Sequence, residues 1–122
     1  MERIPVWIVD SDHWPRAYLR AELIERGYDA EGFVRVTDLL SGLPRSAVRP
    51  ALVVVDLDGQ ELKERDLVAL LSARIPVLAI GGSTEAEDER RRTRGWAKFL
   101  QRPLTLGEIA DEVERLVAKT GR

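Results

Sequence analysis

The chain has 122 residues, 19 basic and 21 acidic side chains, a formal charge of −2 and 44% hydrophobic residues, enough to bury one core and too few for two. With no cysteine and a single histidine, it excludes disulfides, thiolate metal sites, cysteine nucleophiles and a multi-histidine centre. No apolar run approaches the roughly 20 residues of a membrane span, no signal-peptide pattern opens the chain, and near-neutral charge gives no reason to expect nucleic acid; a cytoplasmic α/β domain over residues 1–122 is expected, with neither membrane nor nucleic acid as a direct partner.

Hydrophobic runs alternate with helix-period segments. Val6-Trp7-Ile8-Val9 predicts a strand that ends on Asp10-Ser11-Asp12. Pro15 opens a helix with Leu19, Leu23 and Ile24 on its apolar side and Gly27 at its close. A weak strand over Asp29 to Phe33 leads to a short helix around Asp38 to Leu43. After Pro50, Ala51-Leu52-Val53-Val54-Val55 runs apolar without alternation and stops at Asp56-Leu57-Asp58-Gly59. Such a run reads as a strand covered on both faces, hence a parallel sheet. Leu62, Leu67, Leu70 and Leu71 mark a third helix, and Pro76-Val77-Leu78-Ala79-Ile80 a fourth strand ending in Gly81-Gly82.

Thr84 with Glu87 is a capping-box pattern, and the helix it starts carries acids early (Glu85, Glu87, Asp88, Glu89) and Arg90, Arg91, Arg92 and Arg94 late, before Gly95. Its only apolar residue is Ala86, so it has little to bury. Trp96 to Gln101 predicts a fifth strand, ended by Arg102-Pro103. Thr105 and Glu108 form a second capping box, and Leu106, Ile109, Ala110, Val113, Leu116 and Val117 form a core-facing stripe. Successive βα units imply a parallel sheet with helices on both faces, and ligands in such sheets bind outside the carboxyl ends of the strands. Asp10 to Asp12, Asp56 to Asp58 and Gly81-Gly82 all fall on that edge. Clustered carboxylates there suit a hard cation such as Mg²⁺, and an aspartate beside it can accept a phosphoryl group, with Arg102 as the cation for its remaining oxygens.

The order of these residues resembles the receiver domain of bacterial two-component response regulators. Val9-Asp10-Ser11-Asp12 looks like the family's acidic segment after strand one, and Val55-Asp56 like its phosphoacceptor segment after strand three. Pro76 through Gly81 is similar to the fourth strand, and Gly95 through Phe99-Leu100-Gln101-Arg102-Pro103 to the segment that ends in lysine–proline, with a cis peptide and a switch aromatic three residues before the lysine. The resemblance runs from about residue 4 to about residue 118. It implies a (βα)5 doubly wound, five-stranded parallel sheet of the flavodoxin or CheY-like type, strand order 2-1-3-4-5. It implies Asp56 as phosphoacceptor position, Asp10 and Asp12 as acidic pocket, the backbone carbonyl of Asp58 as a metal ligand, and Gly81, Phe99, Arg102 and Pro103 at switch positions. A histidine kinase or a downstream effector is the implied partner.

The departures are specific. Ser11 falls where the family has its direct metal-ligating acid. Gly81 lacks the hydroxyl that couples a phosphoryl group to the switch aromatic, so Phe99 is expected to pack rather than to switch. Arg102 keeps the charge of the usual lysine but not its compact geometry. The stretch from Asp56 to Pro76 is short, and the usual proline after the phosphoacceptor is missing. The combination resembles atypical or pseudo-receiver domains, in which Mg²⁺ binding is weak or absent and signalling proceeds by protein–protein contact without enzymatic activity. In the family, the fourth helix, fifth strand and last helix form the partner and homodimer surface. Here that surface holds Trp96, Arg90, Arg91 and Arg94.

Two other readings stand beside it. A conventional Mg²⁺-dependent receiver would be phosphorylated on Asp56. Val53 through Gly59 also resembles the first motif of haloacid-dehalogenase-type phosphatases, with Asp56 as nucleophile, Asp58 as acid/base, Gly82-Ser83 as second motif and Lys98 as third; that motif normally follows the first strand, whereas two strand candidates precede it here. Simpler roles remain for single residues. Asp10 and Asp12 can cap the first helix, Asp58 can serve its turn, the arginine run can be a solvated face with acids of its own helix, and His13 and Trp14 are expected in the loop at the pocket mouth.

Overall fold

The computed structural model describes residues 2–82 and 94–120. Five parallel strands, β1 (Pro5–Val9), β2 (Asp29–Phe33), β3 (Leu52–Asp56), β4 (Val77–Gly81) and β5 (Lys98–Gln101), pair in the order β2-β1-β3-β4-β5, the order expected. Between them lie α1 (His13–Glu25), α2 (Val36–Gly42), a single 3-10 turn (Leu43–Arg45) and α3 (Glu64–Ser72), and α4 (Leu106–Thr120) follows β5. The helix expected over 84–94 falls almost wholly outside the described residues, with Arg90, Arg91 and the Thr84–Glu87 pair.

The strands sort their side chains by the two-residue period of a pleated backbone. Val6, Ile8, Leu52, Val54, Leu78 and Ile80 pack with Leu19 and Leu23 of α1 and with Ala110, Val113, Leu116 and Val117 of α4. Trp7, Val9, Val53, Val55, Val77 and Ala79 pack on the opposite face with Val36 and Leu39 of α2 and Leu70 of α3. β3 is buried at every position, which explains its unbroken apolar run. Among the described residues no helix is long and apolar enough to cross a membrane.

Several boundaries differ from expectation for local reasons. α1 starts at His13, two residues before Pro15; the missing proline N–H costs nothing within the first turn, where amides have no helical partner. His13 and Trp14 therefore stand on the helix, not in the preceding loop. α2 starts at Val36 because Asp38 accepts the Arg35 amide at 3.2 Å as an interior capping residue. Trp96 precedes β5 and is half-buried against the α2/α3 core rather than opening the strand. The second capping box forms as read: Thr105 N–H donates to Glu108 Oε1 at 2.8 Å and Glu108 N–H to Thr105 Oγ1 at 3.0 Å. Leu106 and Ile24, at the margins of their stripes, are exposed.

Candidate functional site

Register assembles the site. Val9 pairs with Val55, Asp56 with Ile80 and Gly81 with Gln101, so Asp10, Asp56, Gly82 and Arg102 emerge along one carboxyl edge. Asp10 and Asp56 are the only buried charged residues among those described, at 7% and 6% exposure. Each makes the same local bond. Asp12 N–H donates to Asp10 Oδ1 at 2.9 Å, and Asp58 N–H donates to Asp56 Oδ1 at 3.0 Å. An aspartate that accepts the amide two residues on turns the chain sharply out of its strand, so both residues help to shape the edge they occupy.

Arg102 closes the site from β5. Its Nη1 donates to Asp56 Oδ1 at 3.2 Å and to Asp58 Oδ2 at 2.9 Å, and its Nη2 donates to Asp56 Oδ2. The planar guanidinium thus forks onto both Asp56 oxygens and reaches a second carboxylate, a geometry that a lysine cannot reproduce. Hydrogen bonding to Asp56 raises the Arg102 pKa still further, so the cation is permanent. The Arg102–Pro103 peptide is cis.

Asp58 departs from expectation. Its carboxylate, not only its turn, belongs to the site: Oδ2 accepts from Arg102 and Oδ1 accepts from Gly82 N–H at 3.1 Å. A Cβ at Gly82 would meet Asp58 Oδ2 at 3.2 Å, so the glycine permits that approach. Asp12 is exposed and sits at the N-cap of α1 without a side-chain capping bond. Ser11 is exposed and faces Gly59, whose φ of +81° and missing Cβ let the two turns pass. Gly81 is buried at the end of β4, with its carbonyl accepting from Arg102 N–H at 2.9 Å. Phe99 is half-buried against the α2/α3 core. Arg94 pairs with Glu64 of α3 at 2.7 Å.

Asp10 lacks such a cation. Burial, with the Asp56 charge added, outweighs the Asp12 amide and Arg102 and lifts its pKa from 3.8 to about 6. Arg16 lies beside it but donates to the Asp10 backbone carbonyl, at 2.8 Å. Sequence reading missed Arg16, and also Tyr18, which lines a cleft running down from Asp10 between α1 and α4. Neither has a local pattern that announces it.

Mg²⁺ is the group that the resemblance implies. Mg²⁺ needs six oxygens at near-octahedral positions, several of them waters, with one or two ionised carboxylates open to it. Here both Asp56 oxygens and one of Asp58 are engaged by a guanidinium whose charge repels a cation, and Ser11 supplies no charge. Among the described residues no group of three or more His, Cys, Asp or Glu side chains is placed to hold a metal. As arranged, the residues do not fit the ion.

The fold is that of response-regulator receiver domains. The receiver domain of a signal transduction histidine kinase from Syntrophus aciditrophicus superposes with a TM-score of 0.82 at 23% identity, over 97% of this chain and 92% of that one. A response regulator receiver protein from Burkholderia phymatum gives 0.75 at 19% identity, over 95% and 96%. NtrX from Brucella abortus, solved in complex with ATP, gives 0.75 at 23%, over 98% of this chain but 28% of its own. No family model matches the chain, and no curated protein does. At these identities the likeness defines the fold alone.

Proposed function

We propose that the chain is an atypical receiver module of bacterial two-component signalling that acts by protein–protein contact, with Mg²⁺ binding and Asp56 phosphorylation weak or absent and no enzymatic activity of its own. The observation that carries this reading is the Arg102 fork on Asp56. A phosphoryl donor must approach one Asp56 oxygen while a divalent cation neutralises the transferring group, and the guanidinium holds both oxygens. The proposed partners are a histidine kinase or a downstream effector. The surface that meets them, and on which a homodimer would form, is built around Trp96, β5 and Arg94, with Arg90 and Arg91 from the adjoining segment.

The conventional receiver is the second reading, supported by the buried Asp10 and Asp56 at neighbouring strand ends. The phosphatase reading is weaker, because both Asp58 oxygens are committed to Arg102 and Gly82. The deciding experiment is a Mg²⁺ titration followed by acetyl phosphate or beryllofluoride, read by tryptophan fluorescence and intact mass. The atypical module gives no saturable response up to about 10 mM Mg²⁺, roughly tenfold above the ~10⁻³ M upper end for weak oxygen-ligand cation sites. A saturable response lost in Asp56→Asn establishes the conventional receiver instead.

A further inference from the structure

A cleft of about 300 Å³ opens at the same sheet edge, within the volume range of small-molecule pockets. Its walls are mainly apolar: Leu19 from α1, Ile8, Val54 and Ile80 from the sheet, and Leu104 and Ile109 from the β5–α4 side. Its polar end is formed by Asp10, Asp56 and Arg102. Tyr18 stands at its margin, 58% exposed, and Trp14 stacks on that ring at 5.8 Å. The two faces differ in what they offer. Asp56 and Arg102 satisfy each other, whereas Asp10, more than nine-tenths buried, uses one oxygen for the Asp12 amide and receives no hydrogen bond on the other from the described residues.

A buried carboxylate with a spare oxygen, at the head of an apolar cleft, is matched by a ligand that brings its own cation and hydrogen-bond donors. The local charge has the same sign: Asp10, Asp56 and Asp58 outnumber Arg102. An anionic head would meet three carboxylates against one guanidinium. A hydrated metal would leave the leucine walls unused. Aromatic faces at the mouth favour a passing ammonium further.

We propose that this cleft binds a small apolar molecule carrying a protonated amine, with the ammonium on the Asp10 carboxylate and the apolar body between α1 and α4. An ammonium there supplies the countercharge and the donors that the buried Asp10 carboxylate lacks.

The test uses 3-phenylpropylammonium, 3-phenylpropanol and 3-phenylpropionate as probes on the full chain, read by the NMR methyl signals of Leu104, Leu106 and Ile109. The ammonium shifts these signals saturably and binds at least about tenfold more tightly than the alcohol, about 1.4 kcal/mol, and the carboxylate does not bind. Asp10→Asn, with folding verified by methyl dispersion, brings the ammonium down to the affinity of the alcohol. Leu106→Trp, which fills the cleft from an exposed position, abolishes binding of both. Equal affinity of ammonium and alcohol overturns the proposal, as does an Asp10→Asn variant that still prefers the ammonium. Magnesium chloride alone leaves the three methyl signals in place; shifts equal to those from the amine would assign Asp10 to a metal and overturn the proposal.

Discussion

The ends of β1 and β3 carry the same device and meet different fates. Each strand stops at a buried aspartate that accepts the amide two residues on. Asp56 has a guanidinium on both oxygens, whereas Asp10 has a raised pKa and only a backbone carbonyl shared with Arg16. Burial is nearly equal at the two sites, at 7% and 6% exposure. The neighbouring charge therefore decides what each carboxylate costs the fold and what it can bind.

Removing that charge has the largest effect. Arg102→Ala leaves Asp56 buried and unpaired, and unfolding in urea is expected to show a loss of about 2 kcal/mol. That is below the ~3–5 kcal/mol of a fully buried pair, because Arg102 is 36% exposed. The same variant removes the guanidinium from three carboxylate oxygens, so millimolar Mg²⁺ is expected to restore part of the loss; a variant that is destabilised yet indifferent to Mg²⁺ separates the guanidinium's structural role from any blocking of metal. Gly59→Ala tests the seam between the two turns. A left-handed φ of +81° and a Cβ pressed against Ser11 Oγ are expected to cost about 2 kcal/mol in total. Adding Ser11→Ala relieves the contact but leaves the backbone cost of about 1 kcal/mol, and a double-mutant cycle in urea reads the difference.

Asp10→Asn has the opposite sign. The folded state keeps a proton on Asp10 between pH 3.8 and about 6 that the unfolded chain has released, so native stability falls as pH rises through that window. Asparagine keeps the acceptor for Asp12 N–H without the charge. It is expected to raise stability by on the order of 1 kcal/mol at pH 7 to 8, and the gain disappears by pH 4. A constant gain across that range would assign it to packing instead of ionisation.

Periodicity and punctuation made the fold legible: apolar runs for β1, β3 and β4, a glycine closing α1 and a capping box at Thr105 that forms as read. Asp10, Asp56 and Arg102 were also visible as residues at strand ends, since a parallel sheet gathers its carboxyl termini on one edge. What stayed hidden was the pairing among them. Nothing in the sequence says that Arg102 would span two aspartates, that Asp58 would turn its carboxylate inward, or that Asp10 would be left without a cation. Those outcomes depend on side-chain reach across three strands. Tyr18 was unreadable for a related reason: it lies one position from Leu19 on α1, on the side that looks over the cleft and not into the core.

The smallest effect is expected at the outer arm of the same guanidinium. Arg102 reaches Asp58 at 2.9 Å, nearly as close as a bond can be, yet Asp58 is 44% exposed. In solvent the Coulomb gain is screened and the side chains lose freedom, so such pairs contribute roughly 0–1 kcal/mol. Asp58→Asn keeps its one amide oxygen as the acceptor for Gly82 N–H and gives up the ion pair with Arg102, and is expected to cost under about 1 kcal/mol at this exposed site. Whatever cost remains should shrink as salt rises from 0.05 to about 0.5 M, where the screening length falls well below 10 Å. The Arg102→Ala penalty should persist over the same range, since Asp56 is shielded from the added ions. If both variants lose their effect in salt, the inner pair is as solvated as the outer one, and the contrast between the two arms of Arg102 disappears.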